Sequence, residues 1–486
     1  MEQGQSDGRI VLMKVGNATG RKPKKGCTSQ SCHAKSYGQG NIIHAQKWSS
    51  IMETVLARIS QLSSKNKANP EFRFTSVVHI INKELLTSCH ESMEKDKAVG
   101  IDGVTKEDYE KDLDQNLDGL INRMKRNAYK PKPARRVEIP KDNGKMRTLS
   151  IYCYEDKLVQ EAIRRILEAI FEPMFYDVMM GFRPGRSCHG ALKKLNVMLE
   201  RKFTNYVLDA DIKGFFDHLS HQWIMKFIGS RIIDPNFLRL VNRMLKAGIM
   251  EDFEVEPTEE GSGQGSVCSP IIANIYMHYV LAWWFVERVR PQLKGYGGLV
   301  IYADDFVACF QNKWEAMNFY KALKRRMEYF GLSLEEEKSR LLEFGRFATA
   351  NRQKEGKCKP ETFSFLGFTH YCSESRNGKF RVKRKTSRKK FIKKCREIGN
   401  RIKEMRILPI AEIIARLNQI LVGYFHYYGI TDNFDGLNDF CYAVRRKLFY
   451  WLNRRSQKKS YNWTEFNNLL KDYPLARPKI CVSIYG

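Results

Sequence analysis

The chain has 486 residues, and 83 Lys and Arg against 54 Asp and Glu leave a net charge of +29. With 43% hydrophobic and 12% aromatic residues it can bury a core in more than one domain, which excludes global disorder, while the basic excess calls for a polyanionic partner, nucleic acid first. No apolar run is long enough to span a bilayer and no signal-like segment opens the chain, so the expected compartment is the cytoplasm without membrane contact; the 12 scattered cysteines read as reduced thiols.

Taken in chain order, residues 1–70 form a basic, flexible extension in which Cys27, Cys32 and His33 are metal-ligand candidates without a common zinc spacing. Phe74, Val77, Val78, Ile81, Leu85 and Leu86 recur at helical spacing and predict one buried helix face. Asp102-Gly103 marks a turn, and Thr105 with Asp108 forms a capping-box signal for the next helix. Val137–Pro140 and Met146–Leu149 predict a hairpin with a basic tip, in which Lys145 and Arg147 are suited to a triphosphate. An amphipathic helix follows from Tyr154 to Phe175, then a basic Gly/Pro loop, Gly181–Ser187, that leads into another helix.

Tyr206–Asp217 predicts an apolar strand ending in an acid, on which Asp209 and Asp211 share one face. The Gly-rich loop Gly261–Pro270 lacks the lysine of a phosphate loop and instead offers a backbone that another strand can approach, with Gln264 presented by it. Leu299-Val300-Ile301 and Phe306-Val307-Ala308 then flank Asp304-Asp305, predicting two buried strands with two carboxylates at the tip. Adjacent acids beside buried strands repel unless a cation compensates them, and oxygen ligands of this kind suit Mg²⁺ or Mn²⁺.

Gly331–Lys338 and Phe363–Phe368 read as further strand-like pieces. From Arg376 to Arg406 the chain carries 15 Lys or Arg against Glu397 and Glu404, a density that favours phosphate contact. Ile410 to Tyr424 repeats at helical spacing, and the remaining chain interleaves bases with aromatics, as an RNA-facing helical surface does.

From about residue 70 onward these motifs, in this order, resemble a bacterial group II intron-encoded reverse transcriptase and maturase: Gly100-Ile101-Asp102-Gly103, Gly181-Phe182-Arg183-Pro184-Gly185-Arg186, Asp211-Ile212-Lys213-Gly214-Phe215-Phe216-Asp217, Gln264-Gly265 with Ser269-Pro270, Tyr302-Ala303-Asp304-Asp305, Phe365-Leu366-Gly367-Phe368, and Leu417-Asn418 through Gly423-Tyr424 to Tyr427-Tyr428-Gly429. The resemblance implies an α+β right-hand polymerase: fingers and a palm with an antiparallel sheet over 71–375, and a helical thumb that doubles as the maturase domain over 376–486. It implies catalysis by Asp211, Asp304 and Asp305, with two Mg²⁺ held by these acids and the Ile212 carbonyl, and Mn²⁺ as a substitute. Lys145, Arg147, Phe216, Gln264 and Lys338 match nucleotide-binding positions, Phe216 as the gate against a ribose 2′ hydroxyl. Phe365, Leu366, Gly367 and Phe368 match the primer grip. Lys389, Lys390, Lys393, Lys394, Arg445, Arg446, Arg454 and Arg455 are the expected RNA contacts.

The implied partners are an RNA template, a DNA primer, dNTPs and a group II intron RNA, with a bacterial cytoplasmic or nucleoid setting. The chain departs from the family loop at Gly263 and Ser266, which predicts a looser loop and bears on fidelity and processivity. It also ends without the His/Cys endonuclease module, which predicts an endonuclease-lacking type. Two alternatives remain open on the sequence: a reverse transcriptase without an intron, in defence or repair, and an RNA-binding splicing factor with weak polymerase.

Overall fold

The computed structural model describes residues 57–485 apart from 70, 141–145, 252–253, 257–259, 358 and 457–459. Cys27, Cys32, His33 and Lys145 lie outside the described residues.

The stretch read as one helix from Phe74 is two elements, a 3₁₀ turn at Val78–Ile80 and helix α1 (Lys83–Ser92). The break falls at Asn82, whose side chain accepts from the Leu85 amide at 3.0 Å and so restarts the helix as an N-cap. The Thr105–Asp108 capping box opens α2 (Lys106–Lys111), followed by α3 (Leu113–Lys125). Strands β1 (Ala134–Pro140) and β2 (Met146–Ile151) pair antiparallel, as their alternation predicts. They sit in a fingers sheet of order β2-β1-β4-β5 with β4 (Ile249–Glu251) and β5 (Glu254–Glu256), β1 and β4 being parallel. Helices α4 (Tyr154–Phe171), α5 (Cys188–Asn196), α6 (His221–Gly229), α7 (Pro235–Leu245) and α8 (Ser269–Met277) lie along the chain between these sheets.

The palm is an antiparallel sheet of order β6-β7-β3-β8, built from β3 (Tyr206–Ala210), β6 (Gly297–Tyr302), β7 (Asp305–Phe310) and β8 (Arg340–Glu343). Period-two alternation divides its side chains between two cores. Leu208, Leu299, Ile301, Phe306 and Phe310 join the core shared with the fingers, while Val207, Val300, Val307 and Cys309 join a second one. Helix α9 (Lys313–Tyr329) covers the first face, contributing Phe319, Leu323 and Met327.

Two sequence expectations change here. Residues 331–338 form no strand; Leu332 and Leu334 are buried in a connection held by a single bridge, Ile212 to Leu334, and the strand begins at Arg340. The 375/376 boundary falls in the turn of one hairpin, between β10 (Phe368–Glu374) and β11 (Phe380–Thr386), which pair over seven positions beside β9 (Phe363–Phe365). The basic run therefore starts as a strand, and helix resumes only with α11 (Arg388–Met405), after the short α10 (Ala348–Lys354). A third core unites α11, α12 (Ile410–Tyr428), α13 (Phe434–Leu452) and α14 (Trp463–Asp472) through residues such as Ile402, Leu421, Phe440 and Phe466.

Candidate nucleotidyl-transfer site and nucleic-acid surface

The β6–β7 turn holds Ala303 at φ +58°, a left-handed conformation that non-glycine residues seldom adopt. The segment Val178–Gly181 runs beside it: the Ile301 amide donates to the Val178 carbonyl and the Met180 amide to the Ile301 carbonyl, both at 2.8 Å. A side chain on Gly181 would strike the Ala303 amide, so glycine is required where this loop braces the turn. The Gly181 carbonyl in turn accepts from the Asn274 side chain at 3.0 Å. The sequence marks this segment as a basic loop and a family motif, but not as the brace of the Asp304-Asp305 turn.

Asp304 and Asp305 occupy the tip, and Asp211 follows the end of the neighbouring strand β3. Burial, then the field of Asp211, holds the Asp304 carboxyl above its usual range. Although Asp305 touches solvent, loss of hydration first, and then Asp304, Asp211 and Asp209, push it up to about 7. Asp209 is pushed up to about 7 chiefly by burial, with Arg340 opposing. Lys338 places its ammonium 2.5 Å from Asp211 Oδ2 and is itself raised by that hydrogen bond. As placed, Lys338 is a counter-ion of Asp211.

Among the described residues no three His, Cys, Asp or Glu side chains gather closely enough to share one ion. The donor chemistry nevertheless fits a hard divalent cation: hard oxygen donors, mutual repulsion that raises proton affinity, and a lysine already drawn onto one of them. The bridge from Ile212 to Leu334 uses the Asp211 carbonyl, which accepts from Glu335 at 2.8 Å, and the Lys213 amide, which donates to Ser333 at 2.9 Å.

Around the tip, the predicted nucleotide pocket is linked by side chains. Arg147 Nε donates to Gln264 Oε1, and Gln264 Nε2 donates to Asp217 Oδ1 at 3.3 Å. Asp217 thus fixes which end of the Gln264 amide faces Arg147. It was missed by sequence reasoning, although its place directly after Phe216 was a usable signal. The Gly-rich loop is pinned between β2 and Phe216: the Gln264 carbonyl accepts from the Ser150 amide at 2.6 Å, and the Ser262 amide donates to the Phe216 carbonyl at 3.0 Å. Gly263 has φ +39°, which proline cannot adopt, and Tyr152 Oη fills the space a side chain would take. The expected looser loop is therefore a tightly seated one.

Phe365 and Phe368 are buried, leaving Leu366 and Gly367 as the presented tip of the predicted grip. Both have positive φ, 49° and 78°, as a type I′ turn requires. Tyr427 of α12 donates to the Leu366 carbonyl at 3.0 Å, and the Ser387 amide donates to the Gly367 carbonyl at 2.9 Å. The Leu366-Gly367 turn is thereby fixed to α12 and to the start of α11.

The eight expected RNA-contact residues do not share one environment. Lys389, Lys390, Lys393 and Lys394 lie on the first half of α11, the last two beside Glu397 at 3.9 and 3.0 Å. Arg445 donates to Asn467, and Arg455 donates to the Leu408 carbonyl at 2.5 Å, so both tie thumb elements together. Arg446 and Arg454 are exposed and lie over aromatic rings. Among the described residues no helix is long and apolar enough to cross a membrane.

Residues 139–370 match the family described as reverse transcriptase (RNA-dependent DNA polymerase), and residues 388–467 match the group II intron, maturase-specific domain. Group II intron-encoded protein LtrA of Lactococcus lactis subsp. cremoris is 34% identical over 231 residues, 47% of this chain and 38% of that protein. Protein YkfC of Escherichia coli K12 is 36% identical over 182 residues, 37% of this chain and 48% of its own length. Nuclear intron maturase 4, mitochondrial, of Arabidopsis thaliana is 30% identical over 122 residues, 25% of this chain and 15% of its own. The chain thus spans less than half the length of these curated relatives.

Proposed function

Because this chain carries a reverse transcriptase domain followed by a group II intron maturase-specific domain, we propose that it is an RNA-directed DNA polymerase that extends a DNA primer with dNTPs on an RNA template, and that it also binds a group II intron RNA to assist splicing and retrohoming. One observation carries the polymerase reading: three acids, Asp211, Asp304 and Asp305, stand at one end of a buried antiparallel sheet with raised proton affinity at the hairpin tip. Two divalent cations bound there, Mg²⁺ or Mn²⁺, would lower the pKa of the primer 3′ hydroxyl and offset charge on the triphosphate and leaving pyrophosphate.

The protein's own groups set the geometry. Asp211, Asp304 and Asp305, with the Ile212 carbonyl, supply the oxygen ligands. Lys338 withdraws from Asp211 toward the triphosphate as nucleotide binds, while Arg147, with Lys145, clamps the phosphates. Phe216 closes the sugar pocket beside Gln264, and the Leu366-Gly367 turn holds the primer end.

The test is primer extension on an RNA template with the purified full chain in Mg²⁺, run with dNTPs and with rNTPs. The protein should extend with dNTPs, and Phe216→Ala should raise relative rNTP use by about ten- to a hundredfold, the range that steric exclusion of a small group supplies. Unchanged discrimination removes the gate assignment. The maturase half is tested by adding protein to the intron transcript that flanks its reading frame at near-physiological salt; absence of accelerated splicing removes that half alone.

A further inference from the structure

Helix α13 has two sides. Leu437, Phe440, Val444, Leu448 and Leu452 are buried in the thumb core. Away from them, Tyr442, Arg446, Tyr450 and Arg454 follow at every fourth position, and the two tyrosines are 63% and 45% exposed. Steps of four residues keep Tyr442, Arg446 and Tyr450 neighbours on the helix, about 6 Å apart along its axis, and Arg454 follows in the turn just past its last residue, Leu452. The Arg446 guanidinium lies 5.9 Å from the Tyr442 ring centre and that of Arg454 lies 3.6 Å from Tyr450. Trp451 stands edge-on to Tyr450, with Lys403 and Arg406 of the α11 end at 5.7 and 5.8 Å from its own ring.

Arg over Tyr four residues away steadies a helix by itself. That does not account for leaving two large rings in water within a strongly basic field: from Phe440 through Thr464 the chain has seven Lys or Arg and no Asp or Glu. A polyanion is the complement of that field, and exposed ring faces select a polyanion with flat, apolar surfaces of its own. Duplex RNA keeps its bases stacked internally and presents only phosphates and 2′ hydroxyls at such a site, whereas loops and bulges can splay bases out.

We propose that the α13 face is a stacking platform for unpaired RNA nucleotides, with bases laid on Tyr442 and Tyr450 and with Arg446 and Arg454 alternating between base faces and phosphates. The inference rests on the maturase reading above and names what that surface takes.

The experiment measures binding of the full chain to a fluorescent 12-nucleotide oligouridylate and to a duplex of equal length, each across a salt series. Tyr442→Leu with Tyr450→Leu keeps apolar bulk and removes the π faces. It should weaken single-strand binding by about one to two orders of magnitude at every salt concentration, because stacking is lost without loss of charge, and leave duplex binding unchanged. Arg446→Gln with Arg454→Gln should lower the log–log salt slope by about one unit or slightly more. If the tyrosine variant binds the single strand as tightly as wild type, or loses both RNAs equally, the platform is refuted. If an acidic polyglutamate peptide displaces the oligouridylate as well as RNA does, the partner class is wrong. If the arginine variant alters neither slope nor affinity, the RNA-facing thumb itself fails and the platform with it. Thermal midpoints near wild type in both variants confirm that the thumb core is intact.

Discussion

In the palm, Asp209, Asp211, Asp304 and Asp305 crowd one end of a sheet and share one sign of charge; burial first, and then the neighbouring carboxylates, hold Asp209, Asp304 and Asp305 above the usual carboxylate range. On the thumb, the bases of α11 and α13 are spread along helices, mostly toward solvent, and are paired with rings, carbonyls or Glu397. Repulsion between buried like charges strains the fold and is tolerated where a ligand will relieve it. Exposed charge costs little and acts mainly on affinity and encounter. The two regions should therefore separate by experiment: chemistry lost in one, salt-dependent binding in the other.

The largest expected effect breaks the palm alone. Asp211→Ala or Asp304→Ala should lower primer extension by several orders of magnitude, about the contribution of metal-assisted transfer, while RNA affinity stays within about twofold. Extension by either variant at near wild-type rate would show that the acids were misassigned; a large loss of RNA affinity would show that palm and thumb are not separable.

The converse change breaks the thumb alone. Lys389, Lys390, Lys393 and Lys394 replaced together by Gln should flatten the salt slope of RNA binding by up to about three units, since each neutralised phosphate on a single strand contributes about 0.7. Glu397 already engages Lys393 and Lys394, so the observed change should fall below that ceiling. Saturating a short template should restore the extension rate. An unaltered slope would leave this run as a solvated face.

A smaller effect tests the relay between the two halves of the proposed nucleotide pocket. Asp217→Ala frees the Gln264 amide to turn, so KM for dNTP should rise by about five- to tenfold, the worth of one ordinary hydrogen bond, with kcat within about twofold. Asp217→Asn keeps an acceptor and should restore most of the loss. On an Arg147→Ala background, Asp217→Ala should add almost nothing; full additivity would mean that Asp217 acts elsewhere.

Much of the palm was legible in sequence because buried strands declare themselves by apolar runs, and Asp304-Asp305 stands out against Ile301 and Phe306. The capping box at Thr105 and the helical repeat from Ile410 to Tyr424, within a helix that runs on to Tyr428, were legible for equally local reasons. What failed was nonlocal. Leu332 and Leu334 alternate like a strand, but their burial comes from packing against distant elements rather than from a ladder. The basic run looked uniform, although Arg384 within it is fully buried, donating to the Val382 carbonyl at 3.1 Å and to Asn196. No residue type announces that a guanidinium will be enclosed by a partner 188 positions away. Asp217 was passed over because its importance lies in the amide it orients, and that amide belongs to a loop 47 residues further on.

The smallest effect concerns stability, and its sign follows from the palm alone. Asp209 and Asp305 have folded-state values of about 7, whereas an unfolded aspartate titrates near about 3.9. Between those values the folded state holds more protons than the unfolded one, so stability falls as pH rises through that window and the penalty is complete above about pH 7. Below about pH 4 both states are protonated and this contribution vanishes. Metal-free protein should therefore show a thermal midpoint that declines by a few degrees from pH 5 to pH 7.5, beyond the trend of other groups. Asp305→Asn should flatten that decline, because amide replaces a group that must give up its proton among three other carboxylates. Adding Mg²⁺ at pH 7.5 should raise the wild-type midpoint, since a cation that binds only the folded site shifts the equilibrium by mass action, and should raise the Asp305→Asn midpoint less. A wild-type midpoint that climbs steadily from pH 5 to pH 7.5 in chelator, with no change in that slope in the variant, would mean that the tip acids are not strained against one another and that the contrast with the thumb does not hold.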